Sequence, residues 1–131
     1  VALWGPAGAT VVRVFQPQRT VAISVAEGAA LPPQTSATGR LFAVWRNEWQ
    51  GVVPSAVAAE IRSSGFSVIR GEHVAGVDGV AAPVLDAEQH IVLALTLVGP
   101  ASTVDMQPEG PHVQALLAAC TALSLAPNAS N

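Results

Sequence analysis

The sequence predicts an α+β domain in which helices pack on an antiparallel sheet. Short apolar runs, bounded by turns that contain glycine or proline, occur in both halves of the sequence. Segments whose apolar residues have helical spacing lie between these two groups of runs and again after the second group. The resulting order is strands, two helices, strands and one helix, which favours this class over alternating βαβ units. With 131 residues, the chain is expected to form one domain over residues 1–125 and a flexible tail over 126–131.

Three short strands are predicted before the first helix. Apolar residues 1–4 and the β-branched run 10–15 predict a hairpin around the turn at 5–8. Residues 21–25 alternate weakly and predict a third strand. Prolines 32 and 33 then exclude regular structure until residue 35.

Two helices are predicted next, each from a local signal. Ser36 is a short hydroxyl residue ahead of an apolar segment, which predicts an N-cap and a helix to about Trp45. Pro54 and Ser55 predict the start of a second helix, and Gly65 its end.

The second half predicts mostly sheet. A brief strand at 66–69 precedes a glycine-punctuated loop at 71–79, and the apolar runs 80–85 and 91–98 predict two central strands joined by a turn. Pro83 predicts an edge or bulge position within its strand. A final helix is predicted at 113–123.

The composition excludes several classes of function. Only 11% of residues are charged, less than half the usual share, and this favours burial against a partner chain, although a sparingly charged monomer stays open. The net charge is -3 and lysine is absent, so direct nucleic-acid binding is not expected. No apolar run reaches the length of a membrane helix and no signal peptide is present, so a cytoplasmic protein is expected.

No catalytic or metal-binding constellation stands out. Cys120 is the only cysteine and lies among apolar residues of the last helix, which predicts a buried, inert thiol. His73, His90 and His112 lack metal-ligand spacing, and His90 is expected to be exposed in a turn. Trp4 is expected in the core, while Trp45 and Trp49 are candidates for a cavity or an interface. We expect no cofactor, no metal and no enzyme activity.

Four stretches in one order resemble the effector-binding domain of the IclR (isocitrate-lyase-regulator) family of bacterial transcriptional regulators. They are LP with SATGR (31–32, 36–40), EIR with GFSV (60–62, 65–68), EHVAGV with VAAPVLD (72–77, 80–86) and ALTLVGP (94–100). The resemblance implies a GAF-like or profilin-like fold with a sheet of about six strands, and a ligand cavity on one sheet face. It also implies dimers or tetramers, and a winged helix-turn-helix that binds promoter DNA and is not present in this chain.

A ligand site is expected around the start of the first helix. Backbone N–H groups of Ala37, Thr38 and Gly39 behind the Ser36 cap are suited to a carboxylate, and small side chains at 37 and 39 would let it approach the backbone. The alternative is an ordinary capped helix whose glycine packs against the sheet.

The resemblance adds positions on the strands. Ala37, Thr38, Ile69, Gly79, Thr96 and Val98 match positions that hold small carboxylates in some members of the family. Because Ile69, Gly79 and Val98 carry no polar side chain, an aromatic or hydrophobic acid is expected. His73 is a further candidate for ligand contact, whereas Glu72 and Asp78 are expected to gate the pocket or, preferably, to be solvated.

Two alternatives to ligand sensing remain open. One is a module that only dimerises, without a ligand. The other is a small enzyme on a similar scaffold, against which stands the lack of a Ser–His–Asp spacing, a carboxylate pair or a phosphate loop.

Overall fold

The structure, a computed structural model, describes residues 1–6, 8–15, 28–72, 74–102 and 105–125. Within these residues five antiparallel strands form one sheet in the order β2-β1-β5-β4-β3, and three helices flank it. The strands are β1 (Ala2–Gly5), β2 (Gly8–Val11), β3 (Ser67–Arg70), β4 (Val77–Leu85) and β5 (Ile91–Pro100). The helices are α1 (Ala37–Trp45), α2 (Ser55–Ser64) and α3 (Pro111–Leu125). The predicted α+β class is confirmed; the strand predicted at 21–25 and the tail at 126–131 lie outside the described residues.

The N-terminal hairpin forms, but its second strand is shorter than predicted. β1 and β2 pair from Ala2 with Val11 to Gly5 with Gly8. The N–H groups of Val12 and Arg13 both donate to the carbonyl of Val1, so the regular ladder stops at Val11 rather than continuing to residue 15.

β4 and β5 are the central strands, as their apolar runs predict. They pair from Val77 with Pro100 to Leu85 with Ile91. β4 starts within the segment predicted as a loop, because Asp78 and Gly79 pair on both sides, with β5 and with β3. The loop is therefore shorter than predicted and ends before Val77.

Pro83 occupies a position at which a proline does not disrupt the sheet. β3 pairs with β4 only between Asp78 and Ala81, so among the described residues β4 has no neighbouring strand on that side at Pro83. The register of β4 against β5 also shifts between Val84 and Leu85. The predicted edge or bulge position is confirmed, within a strand that is otherwise central.

Helices cover the two faces of the sheet separately. Helices α1 and α2 pack on one face, and their apolar cluster includes Leu41, Phe42, Val44, Ile61, Ile69, Ala81 and Ala94. Helix α3 packs on the other, with a cluster of Val80, Ala82, Val84, Met106, Val113, Leu116 and Cys120. Alternation along β4 produces this division, since Ala81 faces α1 while Val80 and Ala82 face α3.

Local signals set the helix boundaries as predicted. The Ser36 hydroxyl caps α1, and α2 ends at Gly65, whose φ of 85° is the left-handed conformation that glycine adopts without strain. No helix in the described ranges has the length and apolar character needed to span a membrane.

Trp4 is not a core residue, contrary to expectation. It is 41% exposed at the sheet surface. Its ring lies 5.9 Å from that of Phe42 on α1, and the Arg46 guanidinium lies over it at 4.2 Å. Trp4 stays exposed because α1 covers only part of its ring, and full burial would require a further element over β1.

Candidate functional site

The first turn of α1 is the centre of the candidate site. Ser36 accepts a hydrogen bond from the N–H of Gly39 at 3.1 Å. The N–H groups of Ala37 and Thr38 have no acceptor within their own helix, because they belong to its first turn. These residues are almost completely buried, so the partial positive charge of the helix terminus is directed into the protein.

Thr38 joins this turn to the sheet. Its hydroxyl lies 2.6 Å from the hydroxyl of Thr96 on β5, and the two groups share a hydrogen bond. The residues are 58 positions apart in sequence. The predicted site residues Thr38 and Thr96 are therefore in direct contact.

Three of the four strand residues predicted for the site, Ile69, Gly79 and Val98, lie in one row on the face that α1 covers. Gly79 pairs with Ile69 on one side and with Val98 on the other. Ile69 and Gly79 are buried, whereas Val98 is 44% exposed. The adjoining row on the same face is Ser67, Ala81 and Thr96. The sheet beneath the start of α1 is thus largely apolar, with hydroxyls at Thr96 and Ser67.

Gly39 packs against another part of the chain rather than leaving room for a ligand. A Cβ at this position would lie 2.5 Å from the carbonyl oxygen of Leu31 and 2.7 Å from the carbonyl carbon of Pro32. The expectation that Gly39 opens the backbone to a ligand is wrong, as is that of a free N–H at this residue. The glycine serves close packing, although against the preceding segment rather than against the sheet.

A partly buried ion pair, which was not predicted from the sequence, lies beside this turn. Both terminal nitrogens of Arg40 donate to the carboxylate of Glu72, at 2.8 and 3.3 Å, and one also donates to the carbonyl of Gln34. The Arg40 side chain is 10% exposed and that of Glu72 is 47% exposed. The hydrogen bond from Arg40 lowers the pKa of Glu72 below its ordinary value. Both residues belong to motifs identified in the sequence, but nothing local signals their contact across 32 positions.

The remaining residues of the glycine-rich segment also differ from expectation. Glu72 is not simply solvated, because it binds Arg40. Asp78 is only 8% exposed, since it lies in β4 rather than in a loop. His73, a predicted site residue, lies outside the described residues.

Two open surface cavities lie away from these residues. One, of about 550 Å³, lies beside β3 and α3. Its lining residues are Glu60, Ser64, Phe66, Val68, Arg70, Met106, Pro108, Glu109, Gln114 and Leu117. One of about 260 Å³ lies where β4 extends past β3, and is lined mainly by residues 82–89 and 117–124 with Trp45 and Gly65. Neither cavity is lined by a predicted site residue. At the candidate site, the 2.6 Å contact between the Thr38 and Thr96 hydroxyls closes the space between α1 and β5.

Cys120 is buried between α3 and the sheet, and His90 lies on the surface. Cys120 is 3% exposed and donates weakly to the carbonyl of Ala82, and burial raises its pKa to about 11. His90 is exposed at the 86–90 turn, as predicted, where Asp86 lies 3.6 Å from its ring. In the described part of the chain, no three His, Cys, Asp or Glu side chains are grouped to hold a metal ion.

Comparison with known proteins identifies the family. The family model for the C-terminal region of the bacterial transcriptional regulator IclR matches residues 55–125, more than half of the chain. The chain belongs to the IclR family. The family predicted from the four sequence stretches is therefore confirmed.

Solved structures agree with membership of the IclR family. HmgR of Pseudomonas aeruginosa is 37% identical, with a TM-score of 0.82 over 94% of this chain and 56% of that protein. An IclR-family regulator from Rhodococcus sp. is 20% identical, with a TM-score of 0.81 over 94% of this chain and 54% of that one. The C-terminal domain of a Vibrio cholerae transcriptional regulator is also 20% identical, with a TM-score of 0.77 over 93% and 82%. The similarity to the Rhodococcus and Vibrio cholerae proteins, each 20% identical, establishes only that the fold is shared.

The chain spans little more than half the length of the first two of these relatives. The search of curated proteins found no match.

Proposed function

We propose that this chain is the effector-sensing and oligomerising domain, residues 1–125, of a transcriptional regulator whose DNA-binding region precedes β1. Its effector is a small carboxylate with an aromatic or otherwise hydrophobic body, and its role is regulatory rather than catalytic. The observation that carries the proposal is the burial of the first turn of α1 against a largely apolar sheet face, with Thr38 and Thr96 in contact.

The chemistry of this turn suits a carboxylate. The N–H groups of Ala37 and Thr38, the positive helix terminus and two hydroxyls converge there, and such an environment binds an anion without a formal positive charge. The row of Ile69, Gly79 and Val98 offers no polar side chain to the rest of the ligand. An apolar body with one acidic end therefore fits better than a two-carbon acid.

Binding at this position requires movement of α1. The Thr38 and Thr96 hydroxyls are 2.6 Å apart, which leaves no space for a ligand atom between them. A carboxylate that accepts hydrogen bonds from both must separate α1 from β5. The ligand thus favours a state in which α1 is displaced, which is the differential interaction that a sensor needs.

Helix α1 also reaches the N-terminal strand. Phe42 and the Arg46 side chain both contact Trp4 of β1. A displacement of α1 at Thr38 would therefore change the contacts of β1, from which the chain would lead to the DNA-binding region. This route provides a physical link between effector and DNA affinity.

The surface supports association between copies of the chain as dimers or tetramers. Leu3, Trp4, Val92, Val98 and Leu123 are all exposed, and α3 carries no charged residue along its 15 positions. A surface with so few charges favours burial against a partner chain, because charged residues are depleted at the centre of protein–protein interfaces.

A thermal-shift screen against aromatic and aliphatic carboxylates tests the proposal. A ligand at a hundred times its dissociation constant adds about 2.7 kcal/mol to the free energy of unfolding, which raises Tm clearly. The Thr38→Val/Thr96→Val double variant is the matched control and should lose the response. A well-folded oligomer that responds to no acid would overturn sensing and favour the interaction-only module.

A further inference from the structure

Ser67 carries a polar atom that the fold does not use. The residue is 1% exposed, and its hydroxyl has no hydrogen-bond partner in the described part of the protein. A buried hydroxyl without a partner is costly and uncommon in native proteins. Its presence in the sheet therefore needs an explanation.

The position of Ser67 relates it to the candidate site. On β3 it lies on the same face as Ile69, which belongs to the cluster beneath α1 and α2. In register across the sheet, Ser67 pairs with Ala81 and Ala81 pairs with Thr96. Two strand spacings separate Ser67 from Thr96, so their backbones are about 10 Å apart.

The residues between the two hydroxyls are small. Ala81 lies between Ser67 and Thr96, and Gly79 lies beside it on the same strand face. A ligand that displaces α1 would thus find a flat apolar floor with a hydroxyl at each end. The Thr96 end has the helix terminus, which suits the carboxylate.

We propose that Ser67 is a specificity-determining residue that hydrogen-bonds a second polar group of the effector, at the end remote from the carboxylate. The inference rests on the proposed function and adds a chemical class: an acid with an apolar body and a distal hydroxyl or similar group. In the unliganded protein the Ser67 hydroxyl stays unpaired, and the ligand supplies its partner. A site with an unpaired buried hydroxyl rejects an analogue that lacks the matching group.

Matched pairs of acids test this. The affinities of 3-phenylpropionate and 3-(4-hydroxyphenyl)propionate, and of hexanoate and 6-hydroxyhexanoate, are measured by calorimetry for the wild type and Ser67→Ala. Loss of one hydrogen bond corresponds to about tenfold in affinity. We expect the wild type to prefer the hydroxylated member of at least one pair by about tenfold, and S67A to bind both members equally. Ser63→Ala, an exposed serine on α2, is the control and should keep the preference.

The melting temperature of the unliganded variants is an independent readout. Because S67A removes an unpaired buried hydroxyl, its Tm should equal or exceed that of the wild type. A clear fall in Tm would show that the hydroxyl supports the unliganded fold, and would overturn the inference. If the wild type binds these acids and S67A keeps the same preference for the hydroxylated member, the inference about Ser67 is overturned as well. That result would leave the proposed function intact. Failure of the wild type to bind any acid would overturn both.

Discussion

The hydroxyls of Thr38 and Thr96 meet at 2.6 Å and join the start of α1 to the centre of β5. This contact fastens the helix terminus to the sheet in the absence of ligand. Both hydroxyls are also the groups that a carboxylate at this terminus would contact. In the proposed function, the stability of the closed domain and the affinity for an effector therefore depend on the same two hydroxyl groups.

A double-mutant cycle on Thr38 and Thr96 separates these contributions. Thr38→Val or Thr96→Val alone leaves one part-buried hydroxyl without its partner, and should lower the free energy of unfolding by about 1 kcal/mol. The double variant removes both hydroxyls and should lose less than the sum of the single variants. Denaturant unfolding measures each value. Strict additivity would contradict a direct interaction between the two hydroxyls.

Gly39 and Gly79 provide a matched pair of glycine substitutions. Gly39→Ala places a methyl group 2.5 Å from the Leu31 carbonyl oxygen. We expect a loss of about 1–3 kcal/mol from this overlap, more than the gain of about 1 kcal/mol in helix propensity. In Gly79→Ala the nearest atoms are at 3.7 Å, so the free energy of unfolding should change by less than about 1 kcal/mol. Equal stability of both variants would show that Gly39 is not constrained by packing.

The Arg40–Glu72 pair predicts a specific pH dependence. Arg40 lowers the pKa of Glu72 in the folded state, so the pair stabilises the fold above the ordinary carboxyl pKa and this contribution is lost as the pH falls. Because Glu72 is about half exposed, Glu72→Gln should lower the free energy of unfolding at pH 7 by only about 1 kcal/mol. The difference from the wild type should shrink as the pH falls below the ordinary carboxyl pKa, and disappear once the pH is below the lowered pKa of Glu72 in the folded state.

Glu60→Gln is the control for this measurement, since Glu60 is exposed on α2. It should change stability little at either pH. A Glu72→Gln difference that persists unchanged in acid would mean that the carboxylate charge is not responsible.

Cys120 should react slowly in the folded domain. With its pKa raised to about 11, only about a thousandth of the thiol is ionised at pH 8. Alkylation by iodoacetamide should therefore be at least about a hundredfold slower than in 6 M guanidinium chloride. Similar rates in the two conditions would contradict the burial of Cys120 between α3 and the sheet.

Local sequence signals predicted the helices better than the site. The Ser36 cap and the left-handed Gly65 are decided within a few residues, so α1 and α2 have the predicted boundaries. The family stretches also placed Thr38 and Thr96 in the candidate site, and the structure places them in contact.

Features that depend on distant parts of the chain were not predictable. Gly39 is constrained by the carbonyl groups of Leu31 and Pro32, which a larger side chain would overlap. These two residues belong to a segment with no regular sequence pattern. The partner of Arg40, Glu72, lies 32 positions away in the segment after β3. The exposure of Trp4 depends on which elements cover β1. In each case tertiary packing, rather than local propensity, decides the role of the residue.

The most direct test is an NMR titration of the ¹⁵N-labelled domain with 3-phenylpropionate and 3-(4-hydroxyphenyl)propionate. The proposed site predicts that the largest amide shifts occur at Ala37, Thr38 and Thr96, and that the Thr38→Val/Thr96→Val variant loses them. Shifts confined to the cavity beside β3, around Val68 and Leu117, would contradict the site. No shift with any carboxylate would contradict ligand sensing altogether.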